Sequence, residues 1–431
     1  MTFIIEDDMQ DKSLVKKELL KNLTLCQQGF FKSSIFDTFH ELKIDQLLNS
    51  DKSATYVAEE IKCNKSAVER FLNAAASLKI IFKNENETYI YNPNGEVYTS
   101  INSINLVWFI KNKIPDLLYK NSLSETEIQR LYGDDGLKRF NSLVDALIIS
   151  KDAQMNYILS SGLEDYLIST SSEYIGPVII HYEKLMYPMF NKKGLIGALK
   201  SGRSQWNEIF GKEVNNPFDL YKNEPELLKV FTEGLHNLNR EDDAIHAENL
   251  NLDGVKNLLD IGGGSGAWSI QLLRKSNNLT EICIYELPDA IPMLSTILHK
   301  YAPDQARIKF IPGSFLNKKE EAYLEGLGSE NTFDLISLCW ILHDWSDVTN
   351  VQILKKAYIH LKQDGRLVIL ETILPDNKVG TTNILDISML LQTEGRERTF
   401  REYRELIKQA GFRDVCWSQT STRRQMLIAK K

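Results

Sequence analysis

Five cysteines in 431 residues are few, and Cys26, Cys63, Cys283, Cys339 and Cys416 lie far apart with no CxxC pair. That removes the usual zinc frameworks and a disulfide scaffold, and it fits a reducing compartment. The opening MTFIIEDDMQ lacks a basic region followed by an apolar stretch, and no apolar run is long enough to span a bilayer. An excess of positive charge is missing too: the net charge is −7, which argues against a polyanion as the main partner. No Gly-Lys-Ser/Thr follows the glycine-rich loop, so a Walker-type phosphate site is excluded. The expectation is a soluble, cytoplasmic protein with no metal, no membrane partner and no nucleic-acid partner.

What is present suits a large core. Apolar residues make up 43% of the chain and charged residues 25%, and the length suggests two or three domains. We expect a helical winged-helix unit over 1–100, an extra helical insertion over 101–165, a helical linker with acceptor-pocket residues over 166–245, and an α/β domain over 246–431. In the first, FFKSSIFDTFHEL puts Phe31, Ile35, Phe36 and Phe39 on one helical face. KSAVERFLNAAASL predicts a second helix with Ala67, Phe71, Leu72 and Ala75 inward, and YIYNPNGEVY reads as a small β-wing turning at Asn-Pro-Asn-Gly. The region 101–240 is mostly helical by periodicity. From Asn251 onward, VKNLLDI, EICIYEL, RIKFIPG, FDLISLCW and GRLVILE are β-rich runs spaced to leave room for helices, and RDVCWSQTSTRRQMLIAK reads as a closing strand pair. Alternating β and α elements imply a mostly parallel, Rossmann-like sheet that binds ligands beyond its strands' carboxyl ends.

LLDIGGGSGA sits at such an end. Gly262-x-Gly264-x-x-Ala267 is a permitted variant of the dinucleotide fingerprint, and Glu286 lies about 20 residues on, where a ribose-binding acid is expected. Asp260 separates the candidate ligands. A pyrophosphate beside that carboxylate meets like-charge repulsion, whereas the sulfonium and ammonium of S-adenosylmethionine are cations. The spacing of Asp260, Gly262, Gly264 and Gly266 therefore favours S-adenosylmethionine over NAD, with a tight turn that binds nothing as the plain alternative.

LCWILHDWSD places His343, Asp344 and Trp345 just past the fourth strand run, Glu371 closes the fifth, and Glu397 lies in GRERTFREYRELI. Methyl transfer to a phenol or alcohol needs a base as the bond forms, and histidine with neighbouring carboxylates suits that task near neutral pH. Plainer readings stand beside this one: a structural His343, a Glu397 paired with Arg396 or Arg398, and a Trp345 that is simply core.

With the glycine loop, LHDWSD, LETIL and GRERT in this order, the chain resembles the two-domain small-molecule O-methyltransferases: plant caffeate and flavonoid enzymes and bacterial natural-product relatives, including the acetylserotonin type. The resemblance covers about residues 27–100 and most of 166–431. It implies a homodimer through the winged-helix unit and His343 as general base, flanked by Asp344, Glu371 and Glu397. It also implies S-adenosylmethionine held by Asp260, Gly262, Gly264, Gly266, Glu286, Leu287, Ser314, Phe315, Cys339 and Trp345, and Met389 in the pocket of a small, aromatic secondary metabolite. Three features depart from the family pattern. Ser314 stands where an Asp usually accepts from adenine, a change worth about 1 kcal/mol. Cys339 replaces a lysine common in plant members, and residues 101–164 have no counterpart, which suggests that they shape the acceptor site. N- or C-methylation, or a reaction that uses the cofactor's charge without methyl transfer, is the alternative these changes leave open. A DNA-reading regulator fits poorly. Residues 1–100 hold eleven Lys and one Arg against fifteen Asp/Glu, a net of −3, and the second helix offers only Lys65 and Arg70.

Overall fold

The computed structural model describes residues 28–95, 100–171, 173–211, 214, 217–303, 306–316, 323–327, 330–420 and 422–431. The readings made at MTFIIEDDMQ, at Cys26 and at residues 96–98 of the wing lie outside these.

Helix α1 (28–41) buries Phe31, Ile35 and Phe39 on one side, with Phe36 half-buried beside them. Helix α2 (Lys65–Ser77) starts where the Asn64 side chain accepts the Ala67 N–H, and it buries Ala67, Phe71, Leu72 and Ala75. The small sheet that follows differs from the expectation. Ile81–Lys83 pairs antiparallel with Thr88–Tyr91, so the hairpin turns at Asn84–Glu87, where Glu87 takes a left-handed φ of 58°. Asn-Pro-Asn-Gly instead leads the chain out of the sheet.

Residues 101–175 hold helices α3 (Ile101–Lys111) and α4 (Glu125–Asp145), and also an antiparallel hairpin, Ile149–Lys151 with Tyr157–Leu159. Periodicity suggested helix through Ile149. Leu147 in the left-handed region stops α4, and the β-branched pair Ile148–Ile149 continues extended. This segment has its own core, with Phe109, Phe140 and Tyr157 packed toward Val178 and Ile179 of α5 (Gly176–His181). A π-helical turn, Tyr182–Met186, then runs into α6 (Tyr187–Phe190), and the long α7 (Pro225–Asn249) leads to the sheet.

That sheet has seven strands: β1 (Asn257–Ile261), β2 (Glu281–Glu286), β3 (Ile308–Pro312), β4 (Phe333–Cys339), β5 (Leu361–Glu371), β6 (Arg413–Ser418) and β7 (Gln425–Lys430). Their order is β3-β2-β1-β4-β5-β7-β6, with β7 antiparallel to both neighbours and the first five parallel. Each β-rich run read from the sequence is one of these strands. Helices α8 (Ala267–Lys275), α9 (Ile291–Tyr301), α10 (Asp347–His360) and α12 (Phe400–Gln409) cover its faces, while α11 (Asn383–Gln392) packs on α2. Central β1 buries both faces: Leu258 meets Trp268 and Leu272, whereas Leu259 and Ile261 join Leu354 and Leu406. Strand order reverses between β1 and β4, so a crevice opens at their carboxyl ends. Among the described residues no helix is long and apolar enough to cross a membrane.

Candidate active site

The crevice is a cavity of about 240 Å³. Gly262 and Gly264 border it in left-handed backbone, with φ of 67° and 55°. A Cβ at Gly264 would meet nothing within 4 Å, whereas one at Gly262 would strike the Ile341 Cδ1 at 2.3 Å. Gly266 does not line the cavity. It starts α8 at φ 76°, and its missing side chain lets the helix approach Ile284 and Leu298.

Asp260 is fully buried beneath the loop. Its Oδ1 accepts the Ser337 hydroxyl at 2.7 Å and its Oδ2 accepts the Ser269 hydroxyl at 2.8 Å, and burial lifts its pKa to about 6. Both oxygens thus already have a partner, so the charge acts on the cavity chiefly as a field. Glu286 accepts the N–H of Gly264 at 3.0 Å through one oxygen and that of Leu287 at 2.9 Å through the other. Farther along, Ser314 accepts the Leu316 N–H, and Phe315 meets Trp345 edge-to-face at 5.9 Å. Leu287, Ser314, Phe315, Cys339 and Trp345 all border the cavity. Burial pushes the Cys339 thiol well above its ordinary pKa, so it stays neutral.

The proton-handling cluster forms just beyond β4. Trp340 takes a left-handed φ of 52°, unusual for a bulky residue, and its N–H donates to the Leu370 carbonyl. The short 3₁₀ turn Leu342–Asp344 follows. Glu371, at the end of β5, gathers the N–H groups of Ile341, Leu342 and His343 on one oxygen at 3.0, 2.7 and 3.3 Å. Glu397 is buried, and its Oε1 lies 2.8 Å from His343 Nδ1. It does not pair with its arginine neighbours: Arg396 binds Glu402, and Arg398 binds Asp347 and the carbonyls of Leu342 and Trp345. The opposite ring nitrogen, Nε2, lies 3.8 Å from Asp344. With Nδ1–H committed to Glu397, the neutral ring carries its lone pair on Nε2. At 2.8 Å the Nδ1–carboxylate contact has the length of a hydrogen bond.

Burial alone would drive the proton off His343, but Glu371, Asp344 and Glu397 outweigh it and raise the imidazole to about 10. Burial lifts Glu371 to about 7 and Asp344 to about 6. The resting cluster therefore holds its proton through neutral pH. A histidine whose pKa is raised from 6.5 to about 10 on folding stabilises the fold fully below pH 6.5 and loses that contribution as pH rises through 10. The difference in unfolding free energy between wild type and His343→Gln should accordingly narrow from pH 7 to pH 10. Urea melts across that range check this, and a constant difference would contradict a resting imidazolium.

Other expected residues lie elsewhere. Met389 is buried on α11, outside the cavity lining, and no residue of 101–165 lines the cavity. Several lining residues carried no usable signal in the sequence. His236 on α7 stacks on Tyr301 and meets the Ser265 hydroxyl at 2.8 Å, held neutral chiefly by burial. Asp243 on α7 forms a buried pair with Arg424 at 2.7 Å. The Trp340 ring stacks on His343 with centroids 5.8 Å apart. Each comes from a helix or turn whose approach to β1 only the folded chain determines.

Comparison with known proteins gives a consistent picture. A profile of the O-methyltransferase domain matches residues 193–413. Bovine (Bos taurus) acetylserotonin O-methyltransferase is 32% identical over 243 residues, 55% of this chain and 66% of that protein, just under two thirds of its length. Among solved structures, PigF with SAH aligns with a TM-score of 0.68 at 23% identity, over 76% of this chain and 95% of the other. Human N-acetylserotonin methyltransferase in complex with SAM aligns at a TM-score of 0.57 and 18% identity, over 100% and 98%. At these identities the structural likeness shows the fold.

Proposed function

The chain belongs to the O-methyltransferase domain family, and from that premise we propose that it transfers a methyl group from S-adenosylmethionine to a hydroxyl of a small aromatic acceptor, with His343 as general base. The observation that carries this reading is the His343–Glu397 hydrogen bond directly behind Trp340 and Asp344, which line the glycine-bordered cavity, with Glu371 and Asp344 flanking the ring. The lining fits the cofactor. Gly264 leaves open space against its backbone, and Glu286 keeps lone pairs on both oxygens for a ribose diol. Phe315 and Trp345 offer aromatic surface for adenine, and the buried Arg424 Nε has no hydrogen-bond partner, which suits a carboxylate. Asp260 places negative charge beneath the loop where cations would lie. Gly262, Leu287, Ser314 and Cys339 complete the wall, Gly266 supports it from behind, and Met389 is assigned to the acceptor side.

When bound, S-adenosylmethionine supplies an electrophilic methyl group on a sulfonium. His343 takes the acceptor's hydroxyl proton on Nε2, and Glu397 holds Nδ1–H so that this nitrogen is the free one. Glu371 clamps the turn through three backbone N–H groups, and the carboxylates stabilise the imidazolium that forms. The stacked Trp340 keeps the ring from swinging. Residues 101–165 act from behind, through α5 and the π turn, on the acceptor side. In this reading the protein works in the cytoplasm as a homodimer on a secondary metabolite, as the resemblance implies.

Because His343 holds a proton at rest, a cation entering the cavity should displace part of it. Calorimetric titration with S-adenosylmethionine should show micromolar binding and proton release, read as a dependence of the heat on the buffer's ionisation enthalpy. S-adenosylhomocysteine, without the sulfonium, should bind with less release, and NAD should not bind. Absence of binding by either sulfur compound would overturn the assignment. A labelled-methyl screen of hydroxylated aromatics then tests transfer itself.

A further inference from the structure

The hairpin joining β6 to β7 presents two consecutive arginines with opposite fates. Arg424 points inward, nearly fully buried, and its charge is met by Asp243 at 2.7 Å. Arg423 keeps access to solvent, and among the described residues its one hydrogen bond, at 2.9 Å, goes to the neutral amide of Asn239 on α7. Among the described residues no carboxylate lies within 4.0 Å of it. Asp242 and Asp243 act on it from α7 and Arg424 from its own hairpin, without forming an ion pair with it. Its guanidinium lies 4.5 Å from the centre of the Trp340 ring, and that ring in turn stacks on His343. Tyr182, on the π turn, lies close enough to feel the same charge. Single π turns of this kind recur at functional sites.

We propose that Arg423 is the recognition point for a carboxylate on the methyl acceptor, one ring's width from the reacting hydroxyl. The inference rests on the methyltransferase reading and narrows its substrate class to hydroxylated aromatic acids. A guanidinium has five N–H donors in a planar fork matched to a carboxylate. Here the aromatic face of Trp340 orients that fork, and one neutral hydrogen bond holds it without neutralising it. Arg423 itself stands outside the cavity lining, but both groups it touches, Asn239 and Trp340, belong to that lining, whose charged members are Asp243, Asp260, Glu286, Asp344 and the Asp243-paired Arg424. A neutral acceptor would leave the Arg423 charge unmatched when the site closes over substrate, whereas an acid pairs with it.

The test is binding to the protein loaded with S-adenosylhomocysteine, followed by tryptophan fluorescence and calorimetry, with a hydroxynaphthoate and its primary amide as probes. The acid should bind about tenfold or more tighter than the amide, in the range of a charge-assisted hydrogen bond. Arg423→Gln should erase that preference with S-adenosylhomocysteine affinity unchanged, and Arg423→Lys should restore part of it. Equal binding of acid and amide by the wild type, or binding of neither, overturns the proposal. So does a preference that survives Arg423→Gln. Loss of S-adenosylhomocysteine affinity in Arg423→Gln would instead assign the arginine to the cofactor. Failure of the methyltransferase reading shows separately, as no binding of S-adenosylmethionine by the wild type.

Discussion

Replacing His343 by Ala is expected to lower kcat by about 10²- to 10⁴-fold while S-adenosylhomocysteine affinity stays at the wild-type value, because a positioned general base contributes on that scale. The side chain does not border the cavity, whereas Trp340, Ile341, Asp344 and Trp345 around it do. Glu397→Gln gives the sharper result. Its amide can offer N–H to Nδ1, which favours the tautomer with the proton on Nε2 and leaves the acceptor facing a donor. A base that is present but in the wrong tautomer should be nearly as slow as one that is missing, so kcat should fall to within about tenfold of His343→Ala. Steady-state rates with saturating cofactor, alongside product-binding calorimetry, separate the outcomes. Equal losses of turnover and binding in His343→Ala would make the residue structural.

Arg70→Ala should cost about 3–5 kcal/mol of folding free energy, the scale on which a buried ion pair loses one partner. Arg70, on α2, donates to Asp386 Oδ2 at 3.0 Å and to the Gly395 carbonyl at 3.3 Å, and the side chains are only 15% and 4% exposed. Asp386 Oδ1 in turn accepts the Glu397 N–H at 2.9 Å. One line of contacts therefore runs from the N-terminal helices to the carboxylate that orients His343. Removing the arginine leaves the Asp386 charge buried and loosens the segment bearing Glu397, so kcat should fall along with stability. Urea unfolding measures the first effect, and Arg70→Ala with Asp386→Ala should recover part of the loss. A cost below about 1 kcal/mol would class the pair with solvent-screened surface bridges.

Much of the architecture was legible because it follows from local pattern. Leu258 to Ile261 reads as a strand buried on both faces, and the glycines after it mark where the backbone must turn left-handed. The run KSAVERFLNAAASL, with Phe71 and Ala75 at helical spacing, delimits α2 to within a residue. The errors arose where two local signals competed. Asn-Pro-Asn-Gly is a stronger turn signal than Asn-Glu-Asn-Glu, yet pairing of Ile81–Lys83 with Thr88–Tyr91 placed the hairpin at the latter. At Leu147 a helical period continued in sequence past a residue whose backbone had already turned.

The proposed catalytic cluster divides in the same way. His343 and Glu371 could be named from the sequence because each sits at or beyond a strand end where α/β sheets place their ligands, and Glu397 because it lies in the loop-to-helix segment GRERTFREYRELI. What each carboxylate does could not. Glu371 clamps a backbone turn, Glu397 meets the ring nitrogen, and Asp260 is roofed over by two serine hydroxyls, distinctions that depend on side-chain direction within a few ångströms. Arg423 and Arg424 are adjacent in the chain and identical in composition, yet among the described residues Arg424 meets a carboxylate and Arg423 only a neutral amide. The sequence by itself determined the strands, the glycine turn and the inventory of acids and bases, since backbone preference and hydrophobic period act over a few neighbouring residues. The tertiary structure alone decided which charges meet. Desolvation and Coulomb energy depend on distances between α2, α7, β5 and the β6–β7 hairpin, and no local pattern encodes those distances.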